Sequence, residues 1–260
     1  MKRRRDASWT TTNICGIDVA NLTQDEALSF IERLIDEDGP HYAAVVNAAK
    51  IVLANEDAAL KQALLGADVV TADGMSIVWA SHLLGRGIKQ RVTGIDLFER
   101  LVERAALLGW AVYFLGASEE SVERLTERFK ELHSALRVAG WHNGYFDRSR
   151  SEAISAEIKS SGAAILFVAM GSPAQEHWIG SNLAASGVRF AMGVGGSFDH
   201  LSGLSRRAPI WMQRSGLEWF YRLMREPRRL WRRYLFGNAK FAMLVIRQRL
   251  LNRKSTRGSI

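Results

Sequence analysis

Ala163-Ala-Ile-Leu-Phe-Val-Ala-Met170, followed by Gly171-Ser-Pro173 and then by Gln175 to Leu183, decides how this chain is built. An apolar run of this length is too short to cross a membrane and suits a strand covered on both faces. Glycine and proline stop the strand. The next segment carries helical spacing, and Val188 to Val194 returns to a strand pattern. Strand, helix and strand in that order imply parallel neighbours joined by a crossover.

The same rhythm runs backwards through the chain. Trp110 to Leu115 and Leu136 to Ala139 read as strands. Ser118 caps a charged helix that runs to about His133, and Glu152 to Lys159 is helical. Nearer the amino end, Thr23 and Glu26 form a capping box for a helix whose apolar positions include Ala27, Phe30, Ile31 and Leu34. Gly39-Pro40 ends it. Tyr42 to Asn47 is then a short buried strand, Ala48 to Leu65 helical, Asp68 to Thr71 a strand, and Gly74 to Leu84 a helix. The expected fold is α/β, a mostly parallel, Rossmann-like sheet with helices on both faces. No period of repeats interrupts it.

After Pro209 the strand signal disappears. Fifteen of the 35 Lys and Arg lie between Arg206 and Arg257, against two acids, Glu218 and Glu226, so the net charge of +8 belongs to the tail. Residues 1–205 are expected to form the body and residues 206–260 a basic, aromatic, helical appendage. Trp211, Trp219, Phe220, Tyr221, Trp231, Tyr234, Phe236 and Phe241 stand among the cations. That mixture suits a membrane interface, where rings sit at headgroup level and cations meet anionic lipid. It also suits a nucleic acid backbone. Arg222, Arg225, Arg229 and Arg232 follow three- and four-residue spacing and can share one side of a helix, with a break near Pro227 and Glu226 close to the cap of a new helix.

At 260 residues and 47% hydrophobic content the chain can bury a sizeable core. Its single cysteine, Cys15, allows no internal disulfide and points to a reducing compartment, with the thiol as core filler. Lys2-Arg3-Arg4-Arg5 is followed by polar residues instead of the apolar stretch of a signal peptide. The expected location is cytoplasmic, with peripheral membrane contact only.

Ligands of an open parallel sheet sit outside the carboxyl ends of its strands. The residues expected there are Asn47; Asp73-Gly74; Arg91 with Gly94 and Asp96; Gly116; Gly171 to Pro173 leading into Gln175-Glu176; and Gly195-Gly196 with Asp199. Each has a plainer reading. Asp73-Gly74 also suits a helix cap before Met75. The 171–173 turn suits proline at the first helical position, although its exposed amides also suit a phosphate. Gly193 to Gly196 lacks the dinucleotide fingerprint. The six histidines have no metal-ligand spacing, and no nucleophile elbow or P-loop is present. Asp36-Glu37-Asp38 resembles a metal-holding acidic triplet but reads as a solvated helix end.

Six stretches in this order resemble the bacterial TagA/WecG/CpsF glycosyltransferases. They are Ala72-Asp-Gly-Met75, Arg91-Val-Thr-Gly-Ile-Asp96, Tyr113-Phe-Leu-Gly116, Gly171-Ser-Pro-Ala-Gln-Glu176, Gly193-Val-Gly-Gly-Ser-Phe-Asp199, and Arg207-Ala-Pro-Ile-Trp211 running into Gly216-Leu-Glu-Trp219 and Tyr221-Arg-Leu223. The resemblance covers about Asn13 to Tyr234. It implies metal-independent, inverting transfer of a sugar from a UDP-sugar to a polyprenyl-diphosphate-linked sugar at the cytoplasmic membrane face, in cell-surface polysaccharide synthesis, with no cofactor. It places the catalytic base at Asp73 and substrate contacts at Asn47, Arg91, Gln175 and Asp199. Arg222, Arg229 and Arg232 fall where the family reaches the lipid diphosphate.

The residue types suit that chemistry. One carboxylate takes the acceptor hydroxyl proton. Without a metal, arginine and helix amino ends must stabilise the departing diphosphate. One position departs: Val45 stands where the family usually carries Thr. A hydroxyl able to bond the sugar or the base is absent, which leaves the donor between UDP-N-acetylmannosamine and a hexose donor such as UDP-glucose. A nucleic-acid-binding protein would account for the tail but not for Asp73, Arg91 or the 171–199 constellation, so no nucleic acid partner is expected. An idle membrane-docking scaffold is opposed by the presence of Asp73, Asn47 and Gln175. The acceptor sugar, the polymer and the oligomeric state, a homo-oligomer included, are open at this level.

Overall fold

The computed structural model describes residues 9–257 with the exception of Asp38 and Glu226. The chain begins with a hairpin, β1 (Thr11–Ile14) and β2 (Ile17–Ala20), then runs through α1 (Gln24–Asp36), β3 (His41–Val46), α2 (Ala48–Glu56), α3 (Ala58–Gly66), β4 (Val69–Ala72) and α4 (Met75–Leu83). It continues with α5 (Gly94–Leu108), β5 (Ala111–Gly116), α6 (Glu119–Leu132), β6 (Arg137–His142), α7 (Ser151–Ser161), β7 (Ile165–Ala169), α8 (Ala174–Ser186), β8 (Phe190–Gly193) and α9 (Ser197–Leu201). The basic tail supplies α10 (Ile210–Arg214), α11 (Glu218–Arg225) and α12 (Pro227–Arg257).

Six strands form one parallel sheet in the order β4-β3-β8-β7-β5-β6. Successive strand residues point to opposite faces, and both faces are covered. Phe114, Phe167, Phe190 and Met192 meet α1, α5 and α6 on one side. Tyr113, Leu115, Leu166, Val168 and Ala191 meet α7 and α8 on the other. This double burial is why the 163–170 run is apolar without alternation, and it makes the fold Rossmann-like α/β. Phe98 of α5 is the hub of the first layer, with its ring 4.5 Å from Phe167 and 5.6 Å from Phe198.

Caps set where the helices begin. The Thr23 side chain accepts from the Glu26 backbone while the Glu26 carboxylate accepts from the Thr23 N–H, the capping box expected from the sequence. Asp57 divides the expected 48–65 helix in two: its N–H bonds Leu53 and its carboxylate caps α3 at Leu60. Two elements go beyond the sequence reading. The β1–β2 hairpin turns at Cys15-Gly16, both with positive φ. Helix α5, capped by Thr93, occupies a stretch read only as a ligand loop, although Leu97, Phe98, Leu101, Val102 and Ala105 give it a buried face.

The far end of α12 packs back onto the body. Phe241 and Val245 are buried with Ile14, Ile51 and Ala54. Lys240 Nζ lies 2.6 Å from Glu56 Oε1. Gln248 Oε1 accepts from the Cys15 N–H at 2.7 Å, and its Nε2 donates to the Asn13 carbonyl at 2.9 Å. Among the described residues no helix is long and apolar enough to cross a membrane.

Cys15 is partly buried in this contact, and desolvation pushes its thiol up to about 11. The thiolate is the reactive form. Alkylation by iodoacetamide at pH 8, followed by mass spectrometry, is therefore expected to be much slower than for a free thiol of pKa about 8.5 and to recover in urea.

Candidate active site

The carboxyl edge of the sheet collects the residues singled out in the sequence. Asn47 follows β3 and caps α2, its Oδ1 accepting from the Lys50 N–H at 3.0 Å. The cap uses the oxygen only and leaves the side-chain amide for other partners. Asp73 follows β4, and its N–H donates to the Val46 carbonyl at 2.8 Å, extending the β3–β4 ladder by one bond. Gly74 has φ 112° and lies so near β3 that a Cβ there would be 4.0 Å from Asn47 Cβ. The ends of both strands thus form one surface. The N-cap of α4 is Gly74, without a side-chain cap bond, so the pair read as a possible cap places its glycine, and not Asp73, at the cap position.

Arg91 lies next to this surface because Val92 N–H bonds the Ala72 carbonyl at 2.9 Å. It opens into α5 and does not follow a strand, as its sequence context had suggested. Its Nη1 is 3.4 Å from Glu218 Oε2 of α11, and each side chain is only 16% exposed. Arg207 reaches the same place from the start of the tail, with Nη1 2.6 Å from Asp96 Oδ1 and Nε 3.9 Å from Glu218 Oε1. Burial would raise the Asp96 pKa, but the hydrogen bonds from Arg207 and Thr93 and the charges of Arg207 and Arg91 outweigh it and hold the carboxyl below its ordinary value. Val45, the departure from the family pattern, is buried, and Gly94 at the start of α5 lies against it: a Cβ on Gly94 would be 3.5 Å from Val45 Cγ2.

A buried polar network joins three strand ends. Gln175, 2% exposed, donates from Nε2 to Glu176 Oε1 at 2.8 Å and accepts from the Gly195 N–H at 3.0 Å. Glu176 also receives Lys50 Nζ at 2.6 Å and Ser172 Oγ at 2.7 Å. Burial alone would raise the Glu176 pKa. The Lys50 charge, with hydrogen bonds from Lys50, Ser172 and Gln175, reverses that and holds the carboxyl below the usual range. Lys50 lies in the first turn of the helix capped by Asn47, so Asn47 is linked to Gln175 through Lys50 and Glu176. Pro173, expected at the first helical position, stands one residue earlier as the N-cap of α8.

Strands β5 and β7 are neighbours whose connections leave in opposite directions, β5 to β6 and β7 to β8. Such a reversal opens a crevice. Gly116 ends β5 beside β7 with φ 135°, and a Cβ there would sit 2.5 Å from the Ala169 backbone. Gly116→Ala is therefore expected to cost about 1–3 kcal/mol, because backbone has to move, which a thermal melt will read as a lower Tm. Asp199 of α9 faces the first turn of α6, its Oδ1 accepting from Ser121 Oγ at 2.8 Å.

Asn47, Asp73 and Arg91 are brought to one end of the edge and Gln175 is tied to them, whereas Asp199 is bonded to α6. Sequence reasoning missed Lys50, Ser121, Arg207 and Glu218 as members of these networks. The Arg207 and Glu218 positions did lie within the quoted motifs. Arg222 is on α11 and Arg229 and Arg232 on α12, but their side chains lie outside the described residues. Of the acidic triplet, Asp36 ends α1, Glu37 follows it as C-cap, and Asp38 lies outside the described residues. Among the described residues no three His, Cys, Asp or Glu converge so as to hold a metal ion.

A parallel α/β sheet with a carboxylate, arginines and close-packed glycines along its carboxyl edge has the build of an enzyme. Residues 12–255 match the glycosyl transferase WecG/TagA/CpsF family. A Bacillus spizizenii protein named N-acetylglucosaminyldiphosphoundecaprenol N-acetyl-beta-D-mannosaminyltransferase is 32% identical over 223 residues, which cover 84% of this chain and 86% of that protein. The chain belongs to the WecG/TagA/CpsF family and is a glycosyltransferase. The match reaches past Tyr234, where the sequence resemblance stopped, and takes in most of α12.

Proposed function

We propose that this enzyme transfers N-acetylmannosamine from its UDP-sugar, with inversion and without a metal, to a polyprenyl-diphosphate-linked sugar, in cell-envelope polysaccharide synthesis. The observation that carries the reading is the place of Asp73: a carboxylate-bearing residue at the end of β4, against the end of β3 that bears Asn47, beside the Arg91 cluster. Asp73 takes the proton of the acceptor hydroxyl as that oxygen bonds the sugar C1. The C1–oxygen bond to UDP breaks, and the electron pair leaves with the diphosphate. Arg91 meets the charge that develops there. Asn47 and Asp199 contact substrate. Gln175 contributes through the network that fixes the Gly195 turn. The Bacillus relative is named for a beta-mannosaminyl transfer, which an α-linked nucleotide sugar yields by inversion.

A lipid-linked acceptor supports a reaction at a membrane surface, and we take its cytoplasmic side from the family resemblance. Trp211, Trp219, Phe220, Met224 and Phe236 of the tail helices are exposed, which supports peripheral docking of the appendage. Several basic residues near anionic lipid contribute about 1 kcal/mol each, and Arg222, Arg229 and Arg232 are the ones assigned to the lipid diphosphate. Val45 supports a second donor, a hexose such as glucose. The test is UDP release with a polyprenyl-diphosphate-linked N-acetylglucosamine acceptor and a panel of UDP-sugars, with and without EDTA. Turnover of UDP-N-acetylmannosamine that persists in EDTA is expected. Preference for UDP-glucose selects the second donor, and activity abolished by EDTA and restored by magnesium overturns the metal-free mechanism.

A further inference from the structure

Two arginines and one glutamate from distant parts of the chain meet beside the end of β4. Glu218 places one carboxylate oxygen 3.4 Å from Arg91 Nη1 and the other 3.9 Å from Arg207 Nε. The second distance is too long for a hydrogen bond. Arg207 spends Nη1 on Asp96 at 2.6 Å, but its Nε and Nη2 are buried and have no hydrogen-bond partner. Buried guanidinium donors without acceptors are costly, and a role confined to pairing Asp96 would not need the Nε to face Glu218. A planar fork with two open donors beside a second guanidinium matches the oxygens of a phosphate group.

Glu218 arrives on the tail. The preceding turn is pressed on the helix that follows Asp73: a Cβ on Gly216 would come 2.8 Å from Met75 Cγ. The carboxylate is therefore held between the two arginines by an element distinct from the ones that carry them. With it turned away, Asp96 and Glu99 are the carboxylates left beside the two guanidiniums, and the place loses one of its three negative charges.

We propose that Arg207 and Arg91 form one clamp for the diphosphate of the donor, and that the Glu218 carboxylate fills this clamp until the donor arrives. The inference rests on the UDP-sugar reading above and adds to it a second diphosphate ligand and an internal competitor. Donor binding then exchanges one anion for another and frees α11 from Arg91.

The test is calorimetric titration of the full chain with UDP, inorganic pyrophosphate and uridine, for wild type, Glu218→Gln, Arg207→Lys and Arg207→Gln. Removing the competing charge while keeping the side chain's shape should tighten UDP and pyrophosphate about fivefold and leave uridine unchanged. Arg207→Gln should weaken both anions about tenfold or more, and Arg207→Lys should fall between, since a lysine keeps the charge but not the fork. Unchanged uridine binding certifies a folded site. Should Arg207→Gln fail to fold, the Glu218→Gln arm decides. UDP affinity that is unmoved or weaker in Glu218→Gln overturns the clamp and leaves the UDP donor standing. Pyrophosphate binding with the expected shifts but no preference for UDP supports the clamp and overturns the donor reading instead.

Discussion

Asp73→Asn is expected to lower kcat by about 100- to 10,000-fold, the range that a positioned general base contributes. The amide has the carboxylate's shape but cannot take the acceptor proton. The backbone N–H of residue 73 still bonds the Val46 carbonyl, so the strand end that holds Asn47 stays in place. Donor affinity should change little, because the change falls on the step in which the proton moves. Initial rates of UDP release and a calorimetric UDP titration on the same preparation separate the two effects. A variant within tenfold of wild-type kcat would remove Asp73 from the mechanism.

Lys50→Met should be the most destabilising single change near the site. Lys50 and Glu176 are both buried, 2.6 Å apart, and breaking a buried pair from one side costs about 3–5 kcal/mol. The sign with pH follows from the carboxyl. In the wild type its pKa is held down, so its contribution is present above about pH 4.3, the unfolded value, and is lost as pH falls through the folded one. Without Lys50, burial, the largest influence on this carboxyl, is opposed only by the hydrogen bonds from Ser172 and Gln175, and the pKa rises. The variant's deficit should therefore be largest at pH 7 and shrink toward pH 5 as the carboxyl takes a proton. Adding Glu176→Gln should recover much of the loss at pH 7. Thermal melts at both pH values decide it. An equal deficit at pH 5 and pH 7 would mean that no buried charge had been left uncompensated.

The parts of this molecule that depend on local pattern were legible in the chain. Apolar runs such as Ala163 to Met170, the Thr23–Glu26 box and the Ser118 cap each carry their own signal, and the α/β alternation follows. The order β4-β3-β8-β7-β5-β6 does not, because which strands pair depends on contacts between segments far apart. The β1–β2 hairpin escaped because each strand has only four residues and its turn, Cys15-Gly16, lacks the usual Asn-Gly or Asp-Gly signal. At the edge of the sheet, the ends of strand patterns marked Asn47, Asp73, Arg91, Gln175 and Asp199 alike, and the family motifs supplied their roles. Lys50 was invisible for a physical reason: its partner Glu176 lies 126 residues away, and a lone lysine in a helix looks solvated. The tail's charge was plain in the sequence, whereas the burial of Phe241 and Val245 was not, since one amphipathic pattern serves a membrane and a protein core alike.

The return of α12 to the body also bears on how the molecule comes apart. Phe241 and Val245 complete a core made by β1, β2, α2 and α3, and Gln248 closes onto Asn13 and Cys15, so the first hairpin and the last helix are bound to one another. Heating should then melt the last helix and the first hairpin in a single step, not as a loose tail followed by a stable remainder. A chain cut near Arg206 would leave the apolar side of α2 in water, and such a patch favours self-association. Shortening the protein to make it easier to handle should have the opposite effect.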